Sequence, residues 1–573
     1  MFRQALLVTT CAAAALALFA CGGSDDPTST PAVSSQDALQ TATPIKHVVV
    51  IYGENVSFDH YFGTYPNASN PSGEPAFTAK PGTPTINGLT GTLLTANPNF
   101  TNTANGTDAA NPFRLDRTQA ATADQNHAYT AEQQAEDNGL ADLFPKYTGK
   151  GSSGGAGAFG TKGQVMGYFD GNTVTALWNY AQRFAMSDNA YTTVYGPSTP
   201  GALNVVSGQT NGMQIVKTSK QPSTLAATSY YINDGQGGFT MINDVDPGFD
   251  VCSSTTDQAM MTGKNIGDLL NAAKITWGGF MGGFNLSTTN GNGTTGCNRS
   301  TIATAVNAAT TDYIPHHNWF QYYASTANPQ HTRPSSVAAI GSSVQADGKT
   351  AEPANHQYDS DDFFAAVKAG NFPSVSFLKA PAVEDGHPGN SDPIDEQAFV
   401  TKVVNFLQQQ PDWKNTAVII AYDDSDGWYD HRYKAPTSSS FDSTTPQSAG
   451  GKTVAGSDNL SAAGQCTAAG AVQPQGVNGG AVNGRCGPGT RTPFVVVSPW
   501  AKANFVDDTA ITQASVVKFI EDNWLGGQRI GGGSFDATAG SIMNMFDFAG
   551  SGNNPPLYLD QNLGTKLATA PAI

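Results

Sequence analysis

Charge is what this sequence has least of. Only 13% of its 573 residues are Asp, Glu, Lys or Arg, and cations are the scarcer kind, 29 Lys and Arg against 46 Asp and Glu. The resulting net charge of -17 excludes nucleic acid as a natural partner, because phosphate backbones are bound by surplus Lys and Arg. An anionic membrane surface is repelled for the same reason. Any anionic substrate must then be held by concentrated local charge, from a metal or from histidines. Cysteine is also sparse, at six, and no Cys-x-x-Cys pair occurs, which argues against a structural zinc site. After the first twenty residues no run is long and apolar enough to cross a bilayer.

The apolar start itself reads as an export signal. Ala5 to Ala20 is a short run rich in Ala and Leu behind one arginine, which suits a signal peptide over residues 1–20. The run ends in "LFAC", so Cys21 is the expected lipidation site, with ordinary cleavage nearby as the alternative. A Ser/Thr/Pro-rich stretch over residues 21–42 cannot build a core and reads as a disordered tether. The folded part is expected over residues 43–573, as one large domain with insertions. An exported bacterial protein follows, either secreted or a periplasmic or outer-membrane lipoprotein whose only membrane contact is the lipid anchor. With Cys11 in the signal and Cys21 set aside, four cysteines remain. Of three connectivities the sequence-local one is preferred, Cys252–Cys297 and Cys466–Cys486, because both pairs flank Gly/Asn/Ser-rich loops.

What the chain does have is a series of short apolar runs: "HVVVIYG", "ITWGGFMGG", "SVSFLKA", "TAVIIAYDD" and "TPFVVVSPW". They are β-branched and do not alternate, as strands buried on both faces of a mostly parallel sheet should be. Helical patterns lie between them, in "GNTVTALWNYAQRF", "NIGDLLNAAK", "EQAFVTKVVNFLQQQ" and "TQASVVKFIEDNWL". The alternation predicts an α/β/α sandwich with ligands at the carboxyl ends of the strands. Glycine-rich insertions are expected at residues 148–163 and 438–487.

Two of the strands deliver paired oxygen ligands at their ends, Glu54-Asn55 after "HVVVIYG" and Asp423-Asp424 after "TAVIIAY". One such pair is ordinarily a helix cap or a turn; two in equivalent positions point to a hard divalent cation. Phe58, Tyr61 and Phe62 follow the first pair and are expected to pack under its turn. Between the pairs, Ser198 sits in "GPSTPGA", stiffened by prolines and so presented at a turn, where a nucleophile could stand. His127, His316, His317 and His387 lie in polar or proline-rich loops, not on apolar helical faces, and suit a site for an anionic group. Adjacent His316 and His317 point oppositely in extended chain, so one of them is expected to reach the ligand. His47, His60, His331, His356 and His431 read as structural or unassigned.

Taken together, "VVVIYGENVSFDHYFGTYP", "GPSTPGA", "EDGHPG" and "IIAYDDSDGWYDH" resemble the bacterial phosphoesterase family that contains phospholipases C and secreted acid phosphatases. The match runs in order from about residue 45 to about residue 525. It implies an alkaline-phosphatase-like α/β/α fold with one active-site metal. By the same resemblance Glu54, Asn55, Asp423 and Asp424 would ligate the metal, Ser198 would ligate it and be the nucleophile, and His127, His316, His317 and His387 would line the phosphate pocket. Many of the phospholipases carry "QENRSFDH", a threonine after Gly-Pro and a twin-arginine signal. Here "GENVSFDH", a serine and a single arginine look more like the acid-phosphatase branch.

The expected function is an exported, metal-dependent acid phosphatase that hydrolyses small phosphomonoesters through a phosphoserine. The alternative is a phospholipase C acting on phosphodiester headgroups. A binding lipoprotein without catalysis is argued against by the intact set of serine, oxygen ligands and histidines. With an all-oxygen ligand set, Mg, Ca, Mn or Fe is expected before Zn.

Overall fold

The computed structural model describes residues 38–217, 230–441, 447–449, 452–454, 458 and 465–572. The expected signal peptide, Cys21 and most of the tether lie outside the described residues.

Eight strands form the central sheet: β1 (His47–Gly53), β2 (Ala185–Ser187), β3 (Trp277–Met281), β4 (Gln357–Asp359), β5 (Val375–Lys379), β6 (Thr416–Tyr422), β7 (Phe494–Val497) and β8 (Phe505–Asp507). Their spatial order is β4-β3-β5-β1-β6-β7-β2-β8. Every neighbouring pair is parallel except the two made by β7, which runs against β6 and β2. All seven residues of β1 and of β6 are buried, so both faces of the sheet are covered. The helices that cover it are α1 (Phe58–Phe62), α2 (Tyr129–Glu136), α3 (Thr175–Arg183), α4 (Ser198–Ser207), α5 (Ile266–Ala273), α6 (Ser360–Lys368), α7 (Pro393–Leu407) and α8 (Ala514–Trp524). Helix α4 packs on α5 and α8, and α3 packs on α7, which gives the α/β/α sandwich.

All five expected strands and all four expected helices are present. The run "TPFVVVSPW" joins the sheet as its one antiparallel member, β7. Three sheet strands escaped the pattern, β2, β4 and β8, each of three residues and too short to show a run. A separate five-stranded sheet, from Asn211–Lys217 to Gln258–Met261, fills the chain between α4 and α5. Both expected disulfides, Cys252–Cys297 and Cys466–Cys486, are formed. The 148–163 insertion is mostly irregular chain with short 3-10 turns at Gly157–Gly160 and from Lys162. Parts of the 438–487 insertion lie outside the described residues. No helix among the described residues is long and apolar enough to cross a membrane.

Register positions the site. β1 and β6 run parallel with Gly53 opposite Tyr422, so the residues that follow, Glu54-Asn55 and Asp423-Asp424, emerge side by side. Parallel β5 pairs Ile51 with Leu378 and ends at Lys379, beside the same point. A parallel sheet thus collects the carboxyl ends of several strands at one edge.

Candidate active site

Each chain exit is fixed locally. Asn55 takes a left-handed backbone conformation, φ 61°, which asparagine tolerates better than most residues. Its amide N–H donates to Asp423 Oδ1 at 3.0 Å, and Val56 N–H donates to the Asp424 carbonyl at 3.0 Å, which zips the two exits together. Below the turn Phe58 and Phe62 stack at 5.5 Å and Tyr61 donates to Glu396, so the expected aromatic packing is found. Helix α4 then approaches so closely that a Cβ on Gly201 would lie 2.1 Å from the Asp423 carbonyl oxygen. Only glycine allows that approach. Ser198, expected in a turn, is instead the first residue of this ten-residue helix, where proline is tolerated and the helix dipole favours an anion.

The result is a buried oxygen cluster. Ser198 Oγ lies 3.0 Å from Glu54 Oε2, 3.2 Å from Asp424 Oδ2 and 3.5 Å from Asn55 Oδ1. A hydroxyl has one proton to give, so three acceptors facing it are two too many. Asp423 stands behind them. Its Oδ1 accepts from the amides of Asn55 and Asp424, while its Oδ2 is buried without a hydrogen-bond partner. Burial, then the neighbouring carboxylates, raise Asp423 and Asp424 well above the usual carboxylate range. Surplus acceptors, an orphaned carboxylate oxygen and an all-oxygen donor set fit a hard divalent cation at Ser198. Glu54, Asn55 and Asp424 are the residues placed to hold it, with Asp423 beside them.

The four histidines surround this cluster. His317 Nδ1 is 3.1 Å from Glu54 Oε1, and His387 lies over His317 with ring centroids 6.1 Å apart. His316 packs edge-on against His317 at 4.5 Å but turns to Asp246, 3.5 Å away. Of the adjacent pair, His317 is the one that reaches the cluster. On the other side His127 Nδ1 meets Asp426 Oδ1 at 3.0 Å. Burial opposes charge on His127, His316 and His387, but the surrounding carboxylates outweigh it and raise all three. His317 goes the other way: burial and the nearby cations push it well below its usual value, so it is a neutral imidazole.

Sequence reasoning missed four residues here. Lys379 Nζ contacts Glu54 Oε1 and is fully buried, so metal and histidines are not the sole local positive charge. Its signal was a lone lysine ending an apolar strand. Despite burial, Lys379 and His387 hold Glu54 below the usual carboxylate range. Asp385, raised by burial and Glu54, lies 4.0 Å from His317 Nδ1; it was visible within "EDGH". Asp426 accepts from Asn55 Nδ2 at 3.1 Å, which turns the Asn55 carbonyl oxygen toward Ser198; it sits inside "DDSDG". Glu132, on α2, had no sequence signal. Its Oε2 accepts from Gly196 N–H at 2.9 Å and its Oε1 from Ser425 Oγ at 2.6 Å, which clamps the serine turn to the Asp423-Asp424 exit. Burial pushes it up to about 7.

A mostly parallel sandwich with a carboxylate-rich, cation-demanding serine site at its strand ends defines the class. The chain belongs to the phosphoesterase family, whose model matches residues 45–525. It is 29% identical over 196 residues to the non-hemolytic phospholipase C of Pseudomonas aeruginosa, a match covering 33% of this chain and 25% of that protein. Over 535 residues it is 22% identical to the hemolytic phospholipase C of Pseudomonas aeruginosa, covering 91% of this chain and 59% of that protein. The non-specific phospholipase C6 of Arabidopsis thaliana is 24% identical over 405 residues, covering 69% and 56%. The chain therefore spans less than two thirds of the length of these relatives.

Proposed function

We propose that this protein is a metal-dependent phosphoester hydrolase, an acid phosphatase that cleaves small phosphomonoesters through a phosphoserine at Ser198. The observation that carries the reading is Ser198 Oγ at the start of α4, within 3.5 Å of Glu54, Asn55 and Asp424 oxygens. Glu54, Asn55, Asp423 and Asp424 would hold a divalent metal, which would supply Lewis-acid charge to lower the Ser198 pKa and offset charge on the phosphoryl group. Glu54 Oε2 and Asp424 Oδ2 orient the hydroxyl for in-line attack on phosphorus. The alcohol leaves, and water then attacks the phosphoserine to release phosphate. His127 and His387, kept protonated by the carboxylates around them, Asp426 at His127 and Glu54 and Asp385 at His387, give N–H donors for the phosphoryl oxygens, while His316, turned to Asp246, adds positive charge behind them. His317, which burial and the nearby cations hold well below its usual value, is not one of these cations. Chemistry of this kind comes from positioning and preorganised charge.

The second reading, phospholipase C, is favoured by the names of the relatives. Phosphate release from a chromogenic aryl phosphate, compared with phosphorylcholine release from phosphatidylcholine, separates the two. The first reading expects the monoester to be cleaved faster, with activity falling as pH rises above the histidine range. A lipid preference, or an optimum above about pH 8, selects the second. The covalent step expects net retention at a chiral phosphate and near-complete loss of turnover in Ser198→Ala with metal binding kept. Inversion removes Ser198 from its role.

A further inference from the structure

Lys379 is a buried cation in the cluster to which the proposed chemistry gives no task. Its stem comes from the last residue of β5, its ammonium is fully buried against Glu54 Oε1, and it lies 3.4 Å from the Tyr52 carbonyl oxygen. Three buried ligand atoms cluster beside it: Glu54 Oε1, which the ammonium contacts, and Asp385 Oδ2 and His317 Nδ1, which have no hydrogen-bond partner. His317 Nδ1 is 3.1 Å from Glu54 Oε1 and 4.0 Å from Asp385 Oδ2, and the three atoms lie within 4.8 Å of one another. An ion with bonds of about 2.1 Å spaces neighbouring ligands by about 3.0 Å in an octahedron and about 3.4 Å in a tetrahedron. The 3.1 Å between Glu54 Oε1 and His317 Nδ1 is that of adjacent ligands, and the 4.0 Å from His317 Nδ1 to Asp385 Oδ2 is close to the about 4.2 Å between opposite ligands of an octahedron. Glu54 also faces two ways, with Oε2 toward Ser198 and Oε1 toward this triangle, as a carboxylate bridging two cations does.

We infer that the Lys379 ammonium is a tethered second cation, standing where Glu54 Oε1, His317 Nδ1 and Asp385 Oδ2 would otherwise bind a second divalent ion. This rests on the reading of the Ser198 cluster as a metal site. Four carboxylates meet here, from Glu54, Asp385, Asp423 and Asp424. One divalent ion alone leaves an excess of two negative charges, and the lysine halves that excess. A lysine is a fixed point charge that no chelator removes, and it bars entry of a competing metal. The latent triangle mixes imidazole with carboxylates, so it suits Zn²⁺, Mn²⁺ or Fe²⁺ better than Mg²⁺ or Ca²⁺.

The test is metal stoichiometry, read by elemental analysis and by calorimetric titration of the metal-free full chain with Mn²⁺ and with Zn²⁺. Wild type is expected to bind one equivalent. Lys379→Ala, which empties the position, is expected to bind two, the second lost again in Lys379→Ala/Asp385→Asn. In the otherwise wild-type chain, Asp385→Asn is expected to keep one equivalent, because the oxygens around Ser198 Oγ come from Glu54, Asn55 and Asp424 and not from Asp385; this arm holds even if Lys379→Ala does not fold. Two equivalents in wild type, one in a folded Lys379→Ala, or none in Asp385→Asn overturns the inference. The parent reading fails separately, through a wild-type chain that binds no divalent metal or whose single equivalent survives Asp424→Asn unweakened, and the inference falls with it.

Discussion

Arg491 is the side chain whose removal should cost this fold most. The chain after each of the two strand exits runs on into an Asp-His dipeptide, Asp59-His60 and Asp430-His431, and Arg491, just before β7, joins them. It is completely buried, with Nη2 at 3.0 Å from Asp59 Oδ1 and Nε at 3.1 Å from both oxygens of Asp430. Nη1 donates to the carbonyls of Asn87 and Asp188, and the guanidinium lies 4.1 Å over the Phe58 ring. Replacing it with methionine keeps the volume and leaves two buried carboxylates with one cation, His431, whose Nδ1 is 2.6 Å from Asp59. Breaking a buried pair costs about 3–5 kcal/mol. Two orphaned carbonyls add about 1 kcal/mol each at the low end, and the lost ring contact about 1 kcal/mol. These terms share one side chain and do not add in full, so Arg491→Met should lose about 5 kcal/mol, a large part of a typical total. Urea unfolding with the disulfides intact, followed through the tryptophans, measures it. Adding Asp430→Asn should recover part of the loss, because it removes one stranded charge. A loss below about 1 kcal/mol, or no recovery in the double variant, would refute the reasoning.

Three further outcomes follow from the same geometry. Asp424→Asn should weaken metal binding and turnover together, read by titration calorimetry beside an activity assay; unchanged affinity would remove Asp424 from the ligand set. Glu132→Ala, which unclamps Gly196 from Ser425, should lower kcat about 10²-fold with KM little changed, while Glu132→Gln, which still spans both groups, should recover most of it. Equal damage from both variants would mean that the carboxylate charge matters and the clamp does not. Burial opposes protonation of His431, but Asp59 and Asp430 raise its pKa above the unfolded value. Its contribution, about 1.5–3 kcal/mol for a charged hydrogen bond, is therefore complete below about pH 6.5 and is lost as pH rises through the raised native value. The urea midpoint should fall over that window in wild type and fall less steeply in His431→Gln, where only the other raised histidines, His127, His316 and His387, still contribute.

The strands and the oxygen pairs at their ends were legible because they rest on local rules. A parallel strand buried on both faces is mostly apolar without alternation, and "HVVVIYG" and "TAVIIAY" have such a continuous apolar run. Polar residues straight after such a run must stand at a strand end, which is why Glu54-Asn55 and Asp423-Asp424 could be read as ligands. The short strands β2, β4 and β8 could not be found this way. Three residues carry no period, and their pairing comes from neighbours distant in sequence.

The sequence by itself determined the alternation of strands and helices, the two oxygen pairs, the candidate serine and the histidines. Pairing those pieces required the register of β1 with β6, which sets Gly53 opposite Tyr422 across some 370 residues of chain. The protonation of each histidine was likewise decided in three dimensions. His387 and His317 stack as neighbours, yet carboxylates raise one while burial among cations depresses the other. Lys379 and Glu132 show the same limit. A lysine ending a strand or a glutamate on a helix is ordinary in sequence. Each became part of the site because the fold buried it within reach of a specific oxygen or N–H, where a charge without a partner is too costly to keep.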